Sequence, residues 1–389
     1  MLTHRERVIK ALNHEEPDRV PIDLYFHAGM LTDKAYFQLK NYLGLKEDIA
    51  PFRQGLNANY YDQRLLEIFD IDFRRIFFDP YHDLEPLAGS TEEESIFVDA
   101  WGTKYVTSPS YVHPVGPPLA GIDTIEGLRD YPWPKPEQFG VVAGMKEEAE
   151  RLFYQTDYAI SLRRPGIRGG LVDQGGNLRG MEQFMMDMAL TPDYVRTLME
   201  ILAEIYAGVY AICLDQVGPY VQIVETQDDL GAQNNPLISP KMWRQLVKPA
   251  QKHIFDTIRA KAPETKIAFH TDGNVWSMIP DLIEIGVDVL NPIQPSAREM
   301  DSFRLKQTFG EQLCFHGAMD VQQVLIKDEA TVRQDVRTRI DALAPGGGFI
   351  VAPCNHIQHD VAPQNIVAMY EEARTYGRYP LPASHRVAP

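Results

Sequence analysis

Cysteine is scarce: three residues, Cys213, Cys314 and Cys354, in a chain of 389. Three cannot build a disulfide framework, and they point to a reducing compartment. Positive charge is also in deficit, with 38 Lys and Arg against 54 Asp and Glu, a net charge of −16. Neutralising phosphates takes clustered cations, so a nucleic-acid partner is excluded as an expectation, and a membrane-surface role is disfavoured for the same reason. No uninterrupted apolar run approaches about 18 residues, so no membrane-spanning helix is expected. The opening MLTHRERVIKALNHEEPDRVP lacks the apolar stretch and small-residue cleavage site of a signal peptide, and the expected location is the cytoplasm. No glycine-rich fingerprint follows a strand-like run, which argues against a Rossmann-type cofactor site.

What is present is alternation. Thr3 and Glu6 form a T-x-x-E capping box, and Val8, Ala11 and Leu12 share one face of the helix it opens. Val20–Phe26 reads as a strand, with Asp23, Tyr25 and His27 on one face by the two-residue period. Residues 30–155 are the least regular part, rich in proline and aromatics, with an acidic run at Glu92–Glu94 that reads as a solvated face. From Asp157 onward short apolar runs alternate with amphipathic helical segments. The runs are Tyr158–Leu162, Val221–Thr226, Lys266–His270, Val287–Asn291, Leu313–His316 and Phe349–Cys354. The clearest helix starts at Ser239-Pro240, with Trp243, Val247, Ala250, Ile254 and Ile258 on one face. Near-continuous apolar strands between helices signify a covered parallel sheet. With an eighth strand near Phe73–Phe78, the expectation is an α/β chain folded as one (β/α)8 TIM barrel, a single domain over 1–389 with a long insertion after the first strand.

In such a barrel the carboxyl ends of the strands build the active site. Here they carry Asp23, Tyr25 and His27; Glu225, Asp228 and Asp229; His270 and Asp272; Asn291; His316; and Cys354, Asn355 and His356. Each has a plainer reading. His270 could cap its strand, Glu225 and Asp229 could cap the following turn, and His316 could be structural. Cys354 could be a small buried hydrophobe, as Cys213 and Cys314 are expected to be. His14 and His82 read as solvent-exposed loop residues. The methionines of GMEQFMMDMAL read as packing rather than a cofactor box.

Five segments then resemble uroporphyrinogen decarboxylase-like proteins, in family order from Arg5 to about Ala373. They are THRERVIKALNHEEPDRVPID, DDLGAQNNPLISPKMW, FHTDGNVWSMIPDLIEIGVDVLNPIQPSAREMD, LCFHGAMDVQQVL and APGGGFIVAPCNHIQHDVAPQNIVAMYEEA. The resemblance implies one of two chemistries on a (β/α)8 barrel: cofactor-free decarboxylation of uroporphyrinogen, or zinc-dependent methyl transfer involving corrinoid proteins, coenzyme M or other small acceptors. The decarboxylases carry R-Q-A-G-R-Y after the first strand, whose arginines grip carboxylates. The corresponding stretch here, Tyr25–Met30, has no arginine, although Arg163, Arg164 and Arg168 could supply charge. The methyltransferases carry H-x-C near the fifth strand and a later cysteine, both binding zinc. This chain has His270-x-Asp272 and Cys354 in those places. Zinc accepts carboxylate oxygen as well as nitrogen and sulfur.

The expectation drawn from the resemblance is zinc-assisted methyl transfer from a small methylated donor to a corrinoid carried on a partner protein, or to a similar acceptor. His270, Cys354, Asp272 and Glu225 are the expected metal ligands, and Asp229 and His316 the proton-handling catalytic residues. Asp23, Tyr25, His27, Arg168, Asn291 and His356 are expected to shape the substrate pocket, and a homodimer is compatible with this picture. The alternatives are a metal-free decarboxylase of uroporphyrinogen or another carboxylated aromatic, and a non-catalytic ligand-binding protein on the same fold.

Overall fold

The computed structural model describes residues 2–53, 57–77, 95–107, 112–139, 142–163 and 169–381. Its strands in chain order are β1 (Phe73–Ile76), β2 (Ser95–Val98), β3 (Lys104–Thr107), β4 (Val112–Gly116), β5 (Ala159–Leu162), β6 (Ile223–Gln227), β7 (Lys266–His270), β8 (Val289–Ile293), β9 (Cys314–Met319) and β10 (Phe349–Pro353). Seven of them form a parallel sheet in the order β1-β5-β6-β7-β8-β9-β10. Neighbours in the sheet are successive in the chain apart from the detour between β1 and β5, where β2, β3 and β4 form a separate antiparallel sheet.

The two edges of the large sheet are bridged by the chain around Ile22. On one side Val351 N–H donates to the Pro21 carbonyl and Asp23 N–H to the Val351 carbonyl, each at 2.9 Å. On the other, Asp72 N–H donates to the Ile22 carbonyl at 3.1 Å, and Ile22 N–H to the Asp72 carboxylate at 2.8 Å. The curled α/β sheet is thereby closed in the manner of a TIM-type barrel. The helices pack outside it, among them Pro192–Val217, whose Leu198, Leu202, Val209 and Cys213 are fully buried. That helix, extended to Tyr220, is long and apolar enough by composition to cross a membrane, but 61% of its most apolar window is buried inside the molecule.

Four expectations change. The strand expected over Val20–Phe26 shrinks to a bridge at Ile22, because the backbone turns through a left-handed conformation at Tyr25 (φ 76°). Asp23, Tyr25 and His27 therefore do not share one strand face. The excursion over residues 30–155 is not one insertion after the first strand, since β1 of the main sheet lies inside it. The eighth strand read near Phe73–Phe78 is this β1, buried at all four positions. The helix begun at Ser239 divides into Pro240–Leu246 and Lys248–Lys261, because Pro249 has no N–H to continue the ladder. Its expected apolar face is nonetheless buried throughout. The capping box at Thr3 forms as read, with Glu6 N–H bonding the Thr3 hydroxyl at 3.2 Å and Thr3 N–H the Glu6 carboxylate at 2.8 Å. His14 is half-buried, 3.6 Å from the Cys314 sulfur, rather than solvent-exposed. His82 and Glu92–Glu94 lie outside the described residues.

A buried ion cluster ties the N-terminal helix to this closure. Asp72 is fully buried and accepts from Arg7 and Arg19, each at 2.7 Å, and from His4 at 2.8 Å. Burial alone would raise its carboxyl, but His4, Arg19 and Arg7 hold it below the usual aspartate range. A group whose folded value is depressed contributes stability that is complete above the unfolded value and lost as pH falls through the folded one. The denaturation midpoint is therefore expected to hold steady near neutrality and to fall below about pH 4, the unfolded aspartate value. Urea titrations across this range should show a shallower acid slope in Asp72→Asn. Equal slopes would remove Asp72 from the account.

Candidate metal site at the barrel mouth

The ends of β6 and β7 are locked together before any side chain is considered. Asp228 N–H donates to the His270 carbonyl at 3.0 Å, and Asn274 N–H to the Ala232 carbonyl at 2.8 Å. Gly273 (φ 80°) and Gly231 meet here so closely that a Cβ on Gly231 would stand 2.4 Å from the Asp272 carbonyl oxygen. Only glycine allows that approach. One consequence is that the acidic pair following β6 faces the His-x-Asp following β7.

Asp229, His270 and Asp272 each offer a ligand atom, and these atoms all lie within 4.8 Å of one another. His270 Nε2 is 3.9 Å from Asp229 Oδ1 and 3.8 Å from Asp272 Oδ2. The Asp272 carboxylate is steadied by Asn355, whose amide donates to Oδ2 at 3.1 Å. Its Oδ1 is buried with no hydrogen-bond partner among the described residues. Burial pushes the Asp272 carboxyl up, and the Asp229 charge adds to this while His270 and Asn355 oppose it. Behind the pair, Asp228 caps the helix Leu171–Arg179, accepting from Val172 N–H at 3.0 Å. Burial beside Asp173 raises its carboxyl well above the usual range.

The far nitrogen of His270 starts a buried polar chain. Its Nδ1 lies 2.6 Å from Asn291 Oδ1, and the Asn291 amide nitrogen lies 2.7 Å from His316 Nδ1. His316 Nε2 is 2.9 Å from Asp23 Oδ2. Asp23 in turn accepts from Arg75 at 2.5 Å. The same guanidinium donates to Glu225 Oε1 at 3.0 Å and to the Leu24 carbonyl at 2.7 Å. Ser161 also donates to Glu225, at 2.8 Å. Asp23, Arg75, Glu225 and His316 have side chains with no solvent exposure. Burial would raise the Asp23 carboxyl, but Arg75 and His316 hold it below the usual range.

This placement sorts the expected site residues. His270, Asp272 and Asp229 come together. Glu225 does not join them: it is the partner of Arg75, Ser161 and the His27 N–H. Cys354 is outside the donor group too; its backbone N–H bonds Met319, and burial pushes its thiol up to about 12. Asp23 and His316 lie inside the barrel rather than on the pocket wall. Tyr25 is fully buried, with its hydroxyl 3.5 Å from the Asp62 N–H. His27 packs against His270, with ring centroids 4.3 Å apart and the ring planes tilted by 56°. His356 accepts from Met30 N–H at 3.1 Å, and burial, with the nearby charges of Arg53 and Arg163, lowers it to about 3. Arg168 and Arg164 lie outside the described residues.

Arg75, Ser161 and Arg53 were not foreseen as parts of this region. For Arg75 a signal existed: two arginines inside a short apolar run would bury charge if the run were a strand, and buried charge must be paired. Arg53 meets Met30 through a loop contact (3.3 Å), which no local pattern announces.

No curated protein matches the chain. Among solved structures, a methyltransferase from Methanosarcina mazei superposes with a TM-score of 0.61 at 16% identity, covering 96% of this chain and 99% of that one. At that identity the likeness is one of fold. Xylanase B from Clostridium stercorarium F9 covers 56% of this chain and 75% of its own at 12% identity, but its TM-score of 0.35 carries no argument. The family model described as Uroporphyrinogen decarboxylase (URO-D) matches residues 171–376, which include Asp229, His270, Asp272, Asn291 and His316. With more than half its length matched, the chain belongs to the uroporphyrinogen decarboxylase (URO-D) family.

Proposed function

We propose that this chain is a metal-assisted methyltransferase of the family, moving a methyl group from a small oxygen-, nitrogen- or sulfur-methylated donor to a corrinoid on a partner protein or a similar acceptor. The observation that carries the reading is the donor group Asp229–His270–Asp272 with its orphaned buried oxygen, Asp272 Oδ1. A buried carboxylate oxygen without a donor is costly, and a cation is one way to satisfy it. One imidazole and two carboxylates fit zinc, although the set holds no thiolate. A divalent cation bound there would supply Lewis-acid polarisation of the heteroatom that loses its methyl group. Asn355 holds Asp272 in place, and the His27 ring covers one side of His270. Arg53 and Arg163 bring positive potential to the same mouth, which suits a substrate bearing an anionic group. The shared fold of the methanogen methyltransferase supports the reaction class. Residence in the cytoplasm and a single catalytic domain belong to the same reading, the first supported by the low cysteine content.

Metal analysis tests this directly. Protein loaded with zinc and dialysed should retain about one equivalent, and a methylated donor should be demethylated only by that form. Asp272→Asn should lose the metal, whereas Cys354→Ala should keep it, because the sulfur is outside the donor group. Zinc retained by Asp272→Asn but lost from Cys354→Ala would overturn the ligand set. The arginines also favour a second reading, metal-free decarboxylation of a carboxylated aromatic. That reading requires carbon dioxide release unaffected by chelators and abolished in Arg163→Gln.

A further inference from the structure

We propose that His316 and Asn291 are positioning residues that lock His270 in one tautomer, with its hydrogen on Nδ1, so that Nε2 is always a lone pair facing Asp229 and Asp272. The inference deepens the metal-site reading and rests on it for its purpose, but not for its test.

The buried charge sets the order of donors and acceptors outward. Asp23 is an ionised carboxylate beside Arg75 and can only accept. His316 Nε2, 2.9 Å away, must therefore carry a hydrogen. A singly protonated His316 then has a bare Nδ1, which must be met by a donor. The Asn291 amide is the group there, at 2.7 Å, so its NH₂ points to His316. That orientation turns the Asn291 carbonyl oxygen to His270 Nδ1, at 2.6 Å, and an acceptor requires N–H on that nitrogen. Every step follows from which atoms can donate. With His316 singly protonated, reversing any one sets two acceptors or two donors face to face in a region where His270, Asn291 and His316 are at most 3% exposed. Only a doubly protonated His316, donating to Asp23 and to the Asn291 oxygen, would turn the amide over and leave the His270 hydrogen on Nε2.

The lock answers a conflict visible at the mouth. His270 Nε2 stands less than 4 Å from two carboxylate oxygens, and both would draw a hydrogen onto it. With a hydrogen on Nε2 the ring could not ligate a cation. The chain Asp23–His316–Asn291 opposes that pull from the other side of the ring. It also explains why His316, fully buried with both nitrogens engaged, would orient His270 rather than exchange protons with a substrate.

The tautomer can be read in the metal-free, full-length protein by long-range hydrogen–nitrogen correlation on ¹⁵N-histidine-labelled samples, with His270 assigned from His270→Ala. The wild type should show His270 protonated on Nδ1 alone. His316→Leu and Asn291→Leu should give a mixture or the Nε2–H form. His316→Gln should restore the wild-type pattern, because its amide can donate to Asp23 and accept from Asn291. Zinc affinity by calorimetry should fall about 10–100-fold in His316→Leu, the usual cost of removing a group that orients a ligand, and recover in His316→Gln. A wild-type His270 protonated on Nε2, or a tautomer unchanged in both leucine variants, would overturn the lock, and the first needs no variant to fold. Zinc binding by the wild type judges the metal reading separately: a locked tautomer in a protein that binds no metal sinks that reading and leaves the lock standing.

Discussion

Replacing His270 by alanine should yield a folded protein that no longer retains zinc through dialysis, with demethylation reduced to background. His270 supplies the one nitrogen among the three donors, and it stands between two carboxylates. Without it the remaining pair places like charges together and has lost the ligand whose direction is fixed from behind. Loss of an orienting partner alone weakens metal binding about 10–100-fold, and loss of the ligand itself should exceed that. The substitution also leaves Asn291 Oδ1 without its partner, which costs about 1–3 kcal/mol of stability. The denaturation midpoint must therefore be measured beside metal content. A modest drop in midpoint with complete metal loss is the expected pair of results. Full metal occupancy and full turnover in the variant would mean that the chemistry lies elsewhere.

Arg75→Leu should be the most destabilising single change at the site, by at least about 3–5 kcal/mol, since it leaves buried carboxylates without their cation. By the unfolding entropy typical per residue, that is a fall in melting midpoint of about 4–6 °C. Arg75 has no exposed side-chain surface and holds Asp23, Glu225 and the Leu24 carbonyl at once. Lysine cannot replace it, because a single ammonium does not span two carboxylates in the way a forked guanidinium does. The pH dependence separates lost charge pairing from lost packing. Asp23 is held below the usual range in the wild type, so its contribution is present near neutrality and lost in acid. In the variant, burial favours its neutral form. The stability gap between the two proteins should begin to narrow above the ordinary aspartate value of about 4, where the variant's Asp23 takes up its proton, and go on narrowing below it until the wild-type carboxyl does so. A pure packing defect would leave it constant.

Much of the architecture was legible in the chain. Lys266–His270 is a strand with the bounds its apolar run set, and the neighbouring runs are strands shifted by one to three residues. Buried parallel strands must be apolar on both faces, so composition marks them. β1, read as a strand near Phe73–Phe78, departs from this rule because Arg74 and Arg75 occupy half of it. Their charges are admissible only through partners distant in sequence, namely Asp23 and Glu225 for Arg75 and the Tyr158 ring, 3.5 Å away, for Arg74. Tyr25 failed for a different reason. The period of two holds only while the backbone stays extended, and the left-handed turn there answers to Gly29 and to the barrel edge.

By itself, then, the sequence determined the α/β class, the parallel strands and the polar residues at their ends, because each follows from local periodicity and burial. It also singled out His270 and Asp272, two residues apart on one strand end. Only the tertiary structure decided which polar residues meet. Asp229 joins them because two glycines let two loops touch, while Glu225 turns to Arg75 and Cys354, though buried nearby, stays outside the donor group. Such choices depend on distances between residues tens to hundreds of positions apart, and no local pattern carries that information. The direction of the hydrogens from Asp23 to His270 is of the same kind, spanning 247 positions and existing only because the barrel closes.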